Sequence, residues 1–265
     1  MPTALVTGAS RGIGRAVTVE LANRGWRVVA AMRNPADGAD LASDLVEVVR
    51  LDVTDSSTYV VPSDLTLLVN NAGADSVHTP LEHTDVETWR AMYETNVFGM
   101  AALTAACIQT LRANAPSTVA VFTSGSIFTP VPFYTGYRGS KAAASAICDS
   151  LRAELTPRGV RVVEIVPGPV ESDMYDASRA EPDAAQFPDY REQALAGWEL
   201  KKASADTMVE PAAKAAVAIV DALTDVAGQG AKAPMRYSCD PLGIGLLAMW
   251  RSSDDETIYH LMNPA

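Results

Sequence analysis

A short apolar run, Thr3-Ala4-Leu5-Val6, stops at the turn Thr7-Gly8-Ala9-Ser10-Arg11-Gly12-Ile13-Gly14. An amphipathic helix comes next, over about residues 15–24. Gly25 ends it, and Trp26-Arg27-Val28-Val29-Ala30-Ala31 reads as the next strand. An apolar run without alternation is what a parallel strand buried on both faces looks like. Strand, glycine turn, helix and strand in that order form a nucleotide-binding unit. The glycines permit a tight turn and let a pyrophosphate approach the backbone at a helix N-terminus. Gly8, Ser10, Arg11, Gly12, Ile13 and Gly14 are therefore candidate binding residues. A lone glycine motif is weak, but this one has its strand before it and its helix after it.

The alternation continues along the chain. After Met32-Arg33-Asn34-Pro35 comes a polar segment with little room for a full helix. Residues 46–51 form a third strand, ending at Asp52-Val53. Residues 65–69 form a fourth, ending at Asn70-Asn71-Ala72-Gly73. A helical stretch over about 85–113, capped by Thr84 or Asp85, contains Asn96. Residues 119–122 form a fifth strand, ending at Thr123-Ser124-Gly125-Ser126, and 160–166 a sixth, ending at Pro167-Gly168-Pro169. Pro211 opens a helix to about 223. Met235-Arg236-Tyr237 reads as a last strand, and a helix covers about 241–251. The pattern predicts an α/β fold: a Rossmann-type doubly wound parallel sheet of about seven strands with helices on both faces. No repeat or linker divides the chain, so one domain over 1–265 is expected. Ligands of such sheets bind at the carboxyl ends of the strands. The distinctive residues fall there repeatedly.

One more pair stands out. Tyr137 and Lys141, four apart in a predicted helix ending near residue 155, face the same side. A free phenol has a pKa near about 10, and a neighbouring cation favours the phenolate, so the pair suits a general acid/base. Composition narrows the partners. A net charge of −11 argues against nucleic acid or an anionic membrane, both of which need a basic surface. Cys107, Cys148 and Cys239 have no metal or disulfide spacing, and no apolar run reaches membrane-spanning length. No metal site and a cytoplasmic location are expected. His78, His83 and His260 are isolated, and only His78 comes soon enough after the fourth strand to border a pocket.

Thr7-Gly8-x-x-x-Gly12-x-Gly14, Asn70-Asn71-Ala72-Gly73, Asn96, Ser124, Tyr137-x-x-x-Lys141 and Pro167-Gly168 succeed one another over about residues 3–225. In that order they resemble the short-chain dehydrogenase/reductase family. Asn96-Val97-Phe98-Gly99 and the C-terminal strand and helix are similar to its hydroxysteroid and retinol dehydrogenase side. The resemblance implies an oxidoreductase interconverting a ketone or aldehyde and an alcohol. Tyr137 would be the acid/base, and Lys141 would lower its pKa and bind the nicotinamide ribose. Ser124, with Ser126 as competitor, would hold the substrate oxygen, and Asn96 would bind a water linking Lys141 to solvent. Asp52 and Val53 would hold adenine, and Asn71, Ala72 and Gly73 the adenosine side. Pro167, Gly168, Val170 and Ser172 would hold the carboxamide.

An NAD-preferring site places a carboxylate at the end of the second strand. Met32 stands there instead, with Arg33 next to it and Arg11 in the glycine turn. Both arginines match family positions that meet a 2′-phosphate, so NADP(H) is the expected cofactor. The segments after Arg33 and between Asp52 and Asn70 are short for the family, and the glycine-rich C-terminal strand is absent. Residues 173–208 break periodicity and read as a lid. Ile127, Phe128, Val131, Phe133, Met174, Tyr175, Phe187 and Trp198 predict a small hydrophobic substrate, steroid-, lipid- or polyketide-like. Small and apolar residues on several faces of the 85–113 and 136–155 helices predict a homodimer or homotetramer. A non-catalytic NADP(H)-sensing protein and an epimerase on the same scaffold are the alternatives.

Overall fold

The computed structural model describes residues 1–224 and 235–262, the last three without side chains; the His260 side chain therefore lies outside the described residues. Seven strands form one sheet: β1 (Thr3–Thr7), β2 (Arg27–Met32), β3 (Val46–Arg50), β4 (Leu65–Asn70), β5 (Ser117–Phe122), β6 (Val160–Ile165) and β7 (Arg236–Tyr237). Their order across the sheet is β3-β2-β1-β4-β5-β6-β7, and every pairing is parallel. The chain runs outward from β1 to one edge, returns, and builds the other half from β4. The topological switch therefore falls between β1 and β4.

Alternate residues of each strand face opposite layers. Ala4 and Val6 pack with Val17 and Leu21 of α1 (Gly12–Asn23) and with Ile219 and Val220 of α7 (Ala212–Thr224). Leu5 faces the other way, toward Leu103 and Cys107 of α3 (Met100–Ala113) and Cys148 of α4 (Thr135–Leu155). Burial pushes all three thiols up to about 12, which suits unreactive core residues.

The expected single helix over 85–113 is three pieces. Asp85 accepts from Glu87 N at 3.0 Å and caps α2 (Val86–Tyr93). A π-helical turn, Glu94–Gly99, then carries Asn96 before α3 begins. Gly99, at its end, packs closely on the third strand's exit: a Cβ there would lie 2.7 Å from the carbonyl oxygen of Val53. Only a 3₁₀ turn at Ser56–Thr58 fills the short path from β3 to β4, and another at Pro35–Leu41 links β2 to β3.

Beyond β6 the chain makes α5 (Asp173–Ala177), a 3₁₀ turn (Asp183–Gln186) and α6 (Arg191–Ala203) before α7. Two helices close the described chain, α8 (Pro241–Ser252) and α9 (Asp255–Met262); α9 has no counterpart in the sequence expectation. Among the described residues, no helix is long and apolar enough to cross a membrane, and no group of His, Cys, Asp and Glu could hold a metal ion.

Candidate active site

Four parallel strands, β1, β4, β5 and β6, end on one side of the sheet, and the loops leaving those ends build the site. After β1, Gly8 and Gly12 take positive φ, 63° and 53°, a conformation that costs glycine nothing. Arg11, at the N-cap of α1, gives it no side-chain cap. The first amides of α1 are thus open to an anion. Gly14 is buried because the fourth strand end presses on it: a Cβ there would lie 2.3 Å from both Asn71 Nδ2 and Gly8 O.

Asn71 and Thr7 stitch these two strand ends together. Asn71 Nδ2 donates to Thr7 O at 3.0 Å and to Gly8 O at 3.2 Å. Thr7 Oγ1 accepts from Asn71 N and Ala72 N at 3.1 and 3.0 Å. The Asn71 side chain therefore shapes the glycine turn, which leaves Ala72 and Gly73 as the parts of this loop open to a ligand. The sequence marks Thr7 only as part of the motif, and its bridging hydroxyl has no signal of its own.

Asn96 is 3% exposed. Its Nδ2 donates to Ala74 O at 2.8 Å and Ser140 Oγ at 2.9 Å, while its Oδ1 accepts from Ala74 N at 2.8 Å. Both amide donors and one acceptor site of the oxygen are thus used, two of the three bonds holding Ala74 in the loop after Gly73. That loop abuts Lys141: a Cβ at Gly73 would lie 3.3 Å from its Nζ.

Ser124 lies just past β5 and caps a 3₁₀ turn, Gly125–Phe128. Its Oγ accepts from Ser126 N at 3.2 Å and pairs with Ser126 Oγ at 3.0 Å, and its side chain opposes the rise of the Tyr137 phenol's pKa. Ser124 and Ser126 thus share one hydrogen-bonded turn after β5. Arg138 Nε donates to Ser126 O at 2.7 Å and fixes the same turn.

Tyr137 lies in the first turn of α4. Burial raises its pKa above the ordinary phenol value, the Asp75 carboxylate adds to this, and the Ser124 hydrogen bond opposes it. Lys141 is 5% exposed; burial lowers it to about 8, with Asp75 opposing. Its Nζ sits 5.8 Å from the Tyr137 ring centroid and donates to Phe122 O at 3.0 Å. Burial dominates both groups, and the phenol holds its proton at neutral pH.

After β6, Pro167 O accepts from Gly125 N at 2.7 Å, and Gly168 N donates to Asp240 Oδ2 at 2.6 Å. Asp240 also caps α8, accepting from Gly243 N at 2.7 Å. Sequence reasoning passes over this residue, although Asp240-Pro241-x-Gly243 carries a readable cap signature. Val170 is buried and bridges to Glu210. Ser172 caps α5 and packs under the glycine turn, 3.1 Å from where a Gly12 Cβ would be.

The adenosine-side residues divide. Ser10 is half-buried in the turn, and Ile13 packs on the core. Asp52 Oδ1 accepts from Thr54 N and Oγ1 at 2.9 and 2.8 Å, so its carboxylate is occupied locally. Val53 is buried, with its carbonyl accepting from Tyr59 at 2.6 Å. Arg11 pairs with Asp173 at 3.1 Å. Arg33 is exposed, directly after a buried Met32 whose side chain lies against Gly38.

The predicted apolar pocket disperses. Phe128 packs with Val166, Leu247 and Trp250 beneath α8. Phe133 joins Ala184, Ala185 and Ala194. Phe187 stacks on His83 at 4.1 Å, and Trp198 Nε1 donates to Arg179 O at 3.1 Å. Nearer Tyr137 stand polar groups. His78 stacks on Tyr134 with centroids 3.7 Å apart, and Tyr175 donates to Asp206 at 2.6 Å.

The uncapped helix start, the two left-handed glycines and the closely fitted Gly73 gather at the carboxyl ends of β1 and β4, where such sheets bind ligands. Comparison with known proteins agrees. A family model described as short chain dehydrogenase matches residues 2–183. The NADPH-dependent 3-dehydrocapnine reductase of Ornithobacterium rhinotracheale is 30% identical over 210 residues, 72% of this chain and 74% of that one. The 11-beta-hydroxysteroid dehydrogenase A of Sesamum indicum is 33% identical over 185 residues, 64% and 53% of the two chains. The crystal structure of a short chain dehydrogenase from Burkholderia cenocepacia in complex with NADP superimposes with a TM-score of 0.77 at 25% identity, covering 100% of this chain and 98% of that one.

Proposed function

The chain belongs to the short-chain dehydrogenase family, and from that premise we propose that it is an NADP(H)-dependent oxidoreductase interconverting a ketone or aldehyde with an alcohol. The observation that carries this reading is the half-buried Tyr137 one helical turn from a buried Lys141, with Ser124 acting on its phenol. Enzymes of the family use nicotinamide cofactors, and a bound nicotinamide would supply or take up the hydride. The protein's own part is proton handling and placement. Tyr137 keeps its proton at neutral pH, so it can donate it to a carbonyl oxygen as negative charge develops there. Ser124 Oγ hydrogen-bonds the same oxygen and orients it. Lys141 offers an ammonium to the ribose of the cofactor and a route for the proton that Tyr137 gives up. Gly8, Ser10, Arg11, Gly12, Ile13 and Gly14 hold the pyrophosphate side, and Pro167, Gly168, Val170 and Ser172 the carboxamide side.

Preference for NADP(H) is supported by Arg33, exposed just past the place where an NAD site carries a carboxylate, and by the cofactors named for the reductase and the crystal structure above. One Rossmann domain carries the site, with residues 173–208 as its lid. A small-molecule substrate fits this reading, but the dispersal of the apolar side chains leaves little support for a steroid- or lipid-like one. A homodimer or homotetramer is supported by exposed Val86 and Phe98 on the α2–α3 path. Light scattering giving a monomer at micromolar concentration would remove that part.

A screen of carbonyl compounds with NADPH and of alcohols with NADP+, monitored by cofactor absorbance, tests the activity. Turnover of at least one pair is expected. Reduced cofactor that binds but is never oxidised across a broad panel would leave a cofactor-sensing protein instead.

A further inference from the structure

Phe133 stands where the backbone calls for glycine. Pro132 and Phe133 form the turn that leads into α4. Phe133 takes a φ of 67°, the only positive value among the described residues that are not glycine. A turn with proline second and a left-handed third residue ordinarily has glycine third, because a Cβ there crowds the next carbonyl oxygen. For a bulky side chain the conformation is strained, and it persists only where the surroundings over-determine it.

Those surroundings come from the 173–208 segment. The Phe133 ring packs on Ala184, Ala185 and Ala194, each at most 3% exposed, with Leu195 beside them. Tyr190 of the same segment meets the ring edge-on, with centroids 5.9 Å apart and planes at 87°. Phe133 is the one member of this cluster from outside the segment. Glycine would adopt the turn without strain, but it has no side chain to reach the cluster. What the ring adds is therefore the tie to the covering segment.

On its other side the strained residue leads straight into the reacting helix. Tyr134, next in the chain, is the N-cap of α4 and gives it no side-chain cap. Arg138 N donates to Tyr134 O at 2.8 Å and closes the first turn around Tyr137. The start of α4, and with it the place of Tyr137, thus depends on the backbone of Phe133. The cofactor side does not. Lys141 is held by the Phe122 carbonyl, and the glycine turn by Asn71.

We infer that Phe133 is a positioning residue: the apolar cluster of the covering segment holds its backbone left-handed, and that backbone sets the start of α4 so that Tyr137 is in place only when the segment is down. When the segment lifts, Phe133 loses its anchor, its backbone relaxes and the first turn of α4 loosens. Proton transfer is thereby confined to the covered site. The effect on turnover rests on the oxidoreductase reading above; the coupling of segment to helix does not.

Three variants separate the ring from the backbone. Phe133→Ala removes the ring but keeps the Cβ that disfavours the turn, Phe133→Gly removes both, and Leu195→Ala thins the cluster from α6. Two quantities are read on the NADPH-loaded protein: hydrogen exchange of the amides at 138–141, and kcat with the carbonyl compound reduced fastest in the panel above. Phe133→Ala is expected to lower kcat roughly ten- to hundredfold, the cost of a misplacement of about 1 Å, with KM for NADPH within about twofold of wild type. It is also expected to speed exchange at 138–141. Phe133→Gly is expected to recover most of both, because glycine keeps the turn without the cluster. Lost packing alone would leave glycine no better than alanine. Leu195→Ala is expected to lower kcat in the wild type but not in Phe133→Gly, and this pair decides the matter should Phe133→Ala not fold. Equal kcat in the alanine and glycine variants, a wild-type kcat in both, or the same loss from Leu195→Ala in both backgrounds overturns the inference and leaves the oxidoreductase reading intact. Exchange at 138–141 that is the same in wild type and Phe133→Ala overturns it too. Where the wild type reduces no carbonyl compound, the expected order of exchange rates upholds the coupling, and the failure falls on the oxidoreductase reading.

Discussion

Lys141 donates to the main-chain carbonyl of Phe122 at 3.0 Å and lies 5.8 Å from the ring centroid of Tyr137. The ammonium thus has one firm partner in the protein, at the end of the central strand β5, and it is almost fully buried there. A charge held this way is ready for a ligand and costly without one.

That cost is measurable. Burial lowers Lys141 from 10.5 to about 8, which corresponds to roughly 3 kcal/mol against the charged form. Between about pH 8 and 10.5 the unfolded chain binds more protons at this site than the native one, so stability rises with pH across that window. Below about pH 8 the whole penalty is present. Lys141→Met removes it but leaves the Phe122 carbonyl short of a donor, an offset of about 1 kcal/mol. The variant is expected to be inactive, yet to melt several degrees higher than the wild type near pH 7, at roughly 2–4 °C per kcal/mol. The gain should fade above pH 10. A melting temperature at pH 7 equal to or below that of the wild type would count against a strained charge at this site.

Tyr137→Phe separates chemistry from binding. Tyr137 is half-buried, and its ring persists in phenylalanine, so the fold and the cofactor groove should be kept. Loss of the transferable proton should lower turnover by roughly a hundred- to ten-thousandfold, with the dissociation constant for NADPH within a few fold of wild type. Near-normal reduction of a confirmed carbonyl substrate by this variant would transfer the acid role elsewhere.

The strands and the chemistry at their ends are readable because they depend on local pattern. Apolar runs mark the six central strand positions, and Thr7-Gly8 to Gly14, Asn70 to Gly73 and Tyr137-x-x-x-Lys141 are short spacings. The features that escape a sequence reading depend on distance in the chain. Asn71 closes the turn at Gly8 from 63 residues away, and Asp240 reaches Gly168 across 72. No window of sequence contains both partners. The π-helical turn at Glu94–Gly99 carries no pattern of its own in the sequence, and its Gly99 fits against Val53, which precedes β4 in the chain. The aromatic residues after Ser126 mark burial but scatter in space: Phe128 packs under α8, whereas Phe133 and Phe187 pack with residues around the 173–208 segment.

Asp240 offers a test of the nicotinamide-side loop. It is 1% exposed and ties Gly168 to the start of α8. Asp240→Ala removes a helix cap, worth about 1 kcal/mol, and frees the amide of Gly168. The Michaelis constant for NADPH should rise several fold and turnover should fall, while Asp240→Asn, which keeps one acceptor, recovers part of both. A purely structural role would lower the melting temperature in both variants without moving the Michaelis constant.

Residues 173–208 should order further on ligand binding. Few of their ties to the rest of the chain are buried: Tyr190 donates to Glu82 at 2.8 Å, and Phe187 lies on His83. Exposed contacts of this kind open readily, and covering segments are drawn from such regions. Hydrogen exchange in 173–208 should slow when NADPH and a substrate are added together. The same exchange rates with and without ligands would remove the lid.

Cofactor preference turns on two arginines in different situations. Arg11 is paired with Asp173 at 3.1 Å, but both side chains are about two-thirds exposed, 70% and 67%. A pair so placed contributes about 0–1 kcal/mol, so a phosphate can draw the guanidinium away. Arg33 is exposed, with no acidic partner among the described residues, and comes directly after the β2 position where a carboxylate would select NAD. A guanidinium can hold a phosphate through two charge-assisted hydrogen bonds of roughly 1.5–3 kcal/mol each. Arg33→Asp should therefore raise the Michaelis constant for NADPH by at least about tenfold and narrow or reverse the preference, because the new carboxylate repels the 2′-phosphate and accepts from a free ribose. Arg11→Ala should have a smaller effect, since its release from Asp173 offsets part of what it gains. The deciding quantity is the ratio of kcat/KM for NADPH and NADH on one substrate. A wild-type ratio in favour of NADH would show that neither arginine meets a 2′-phosphate.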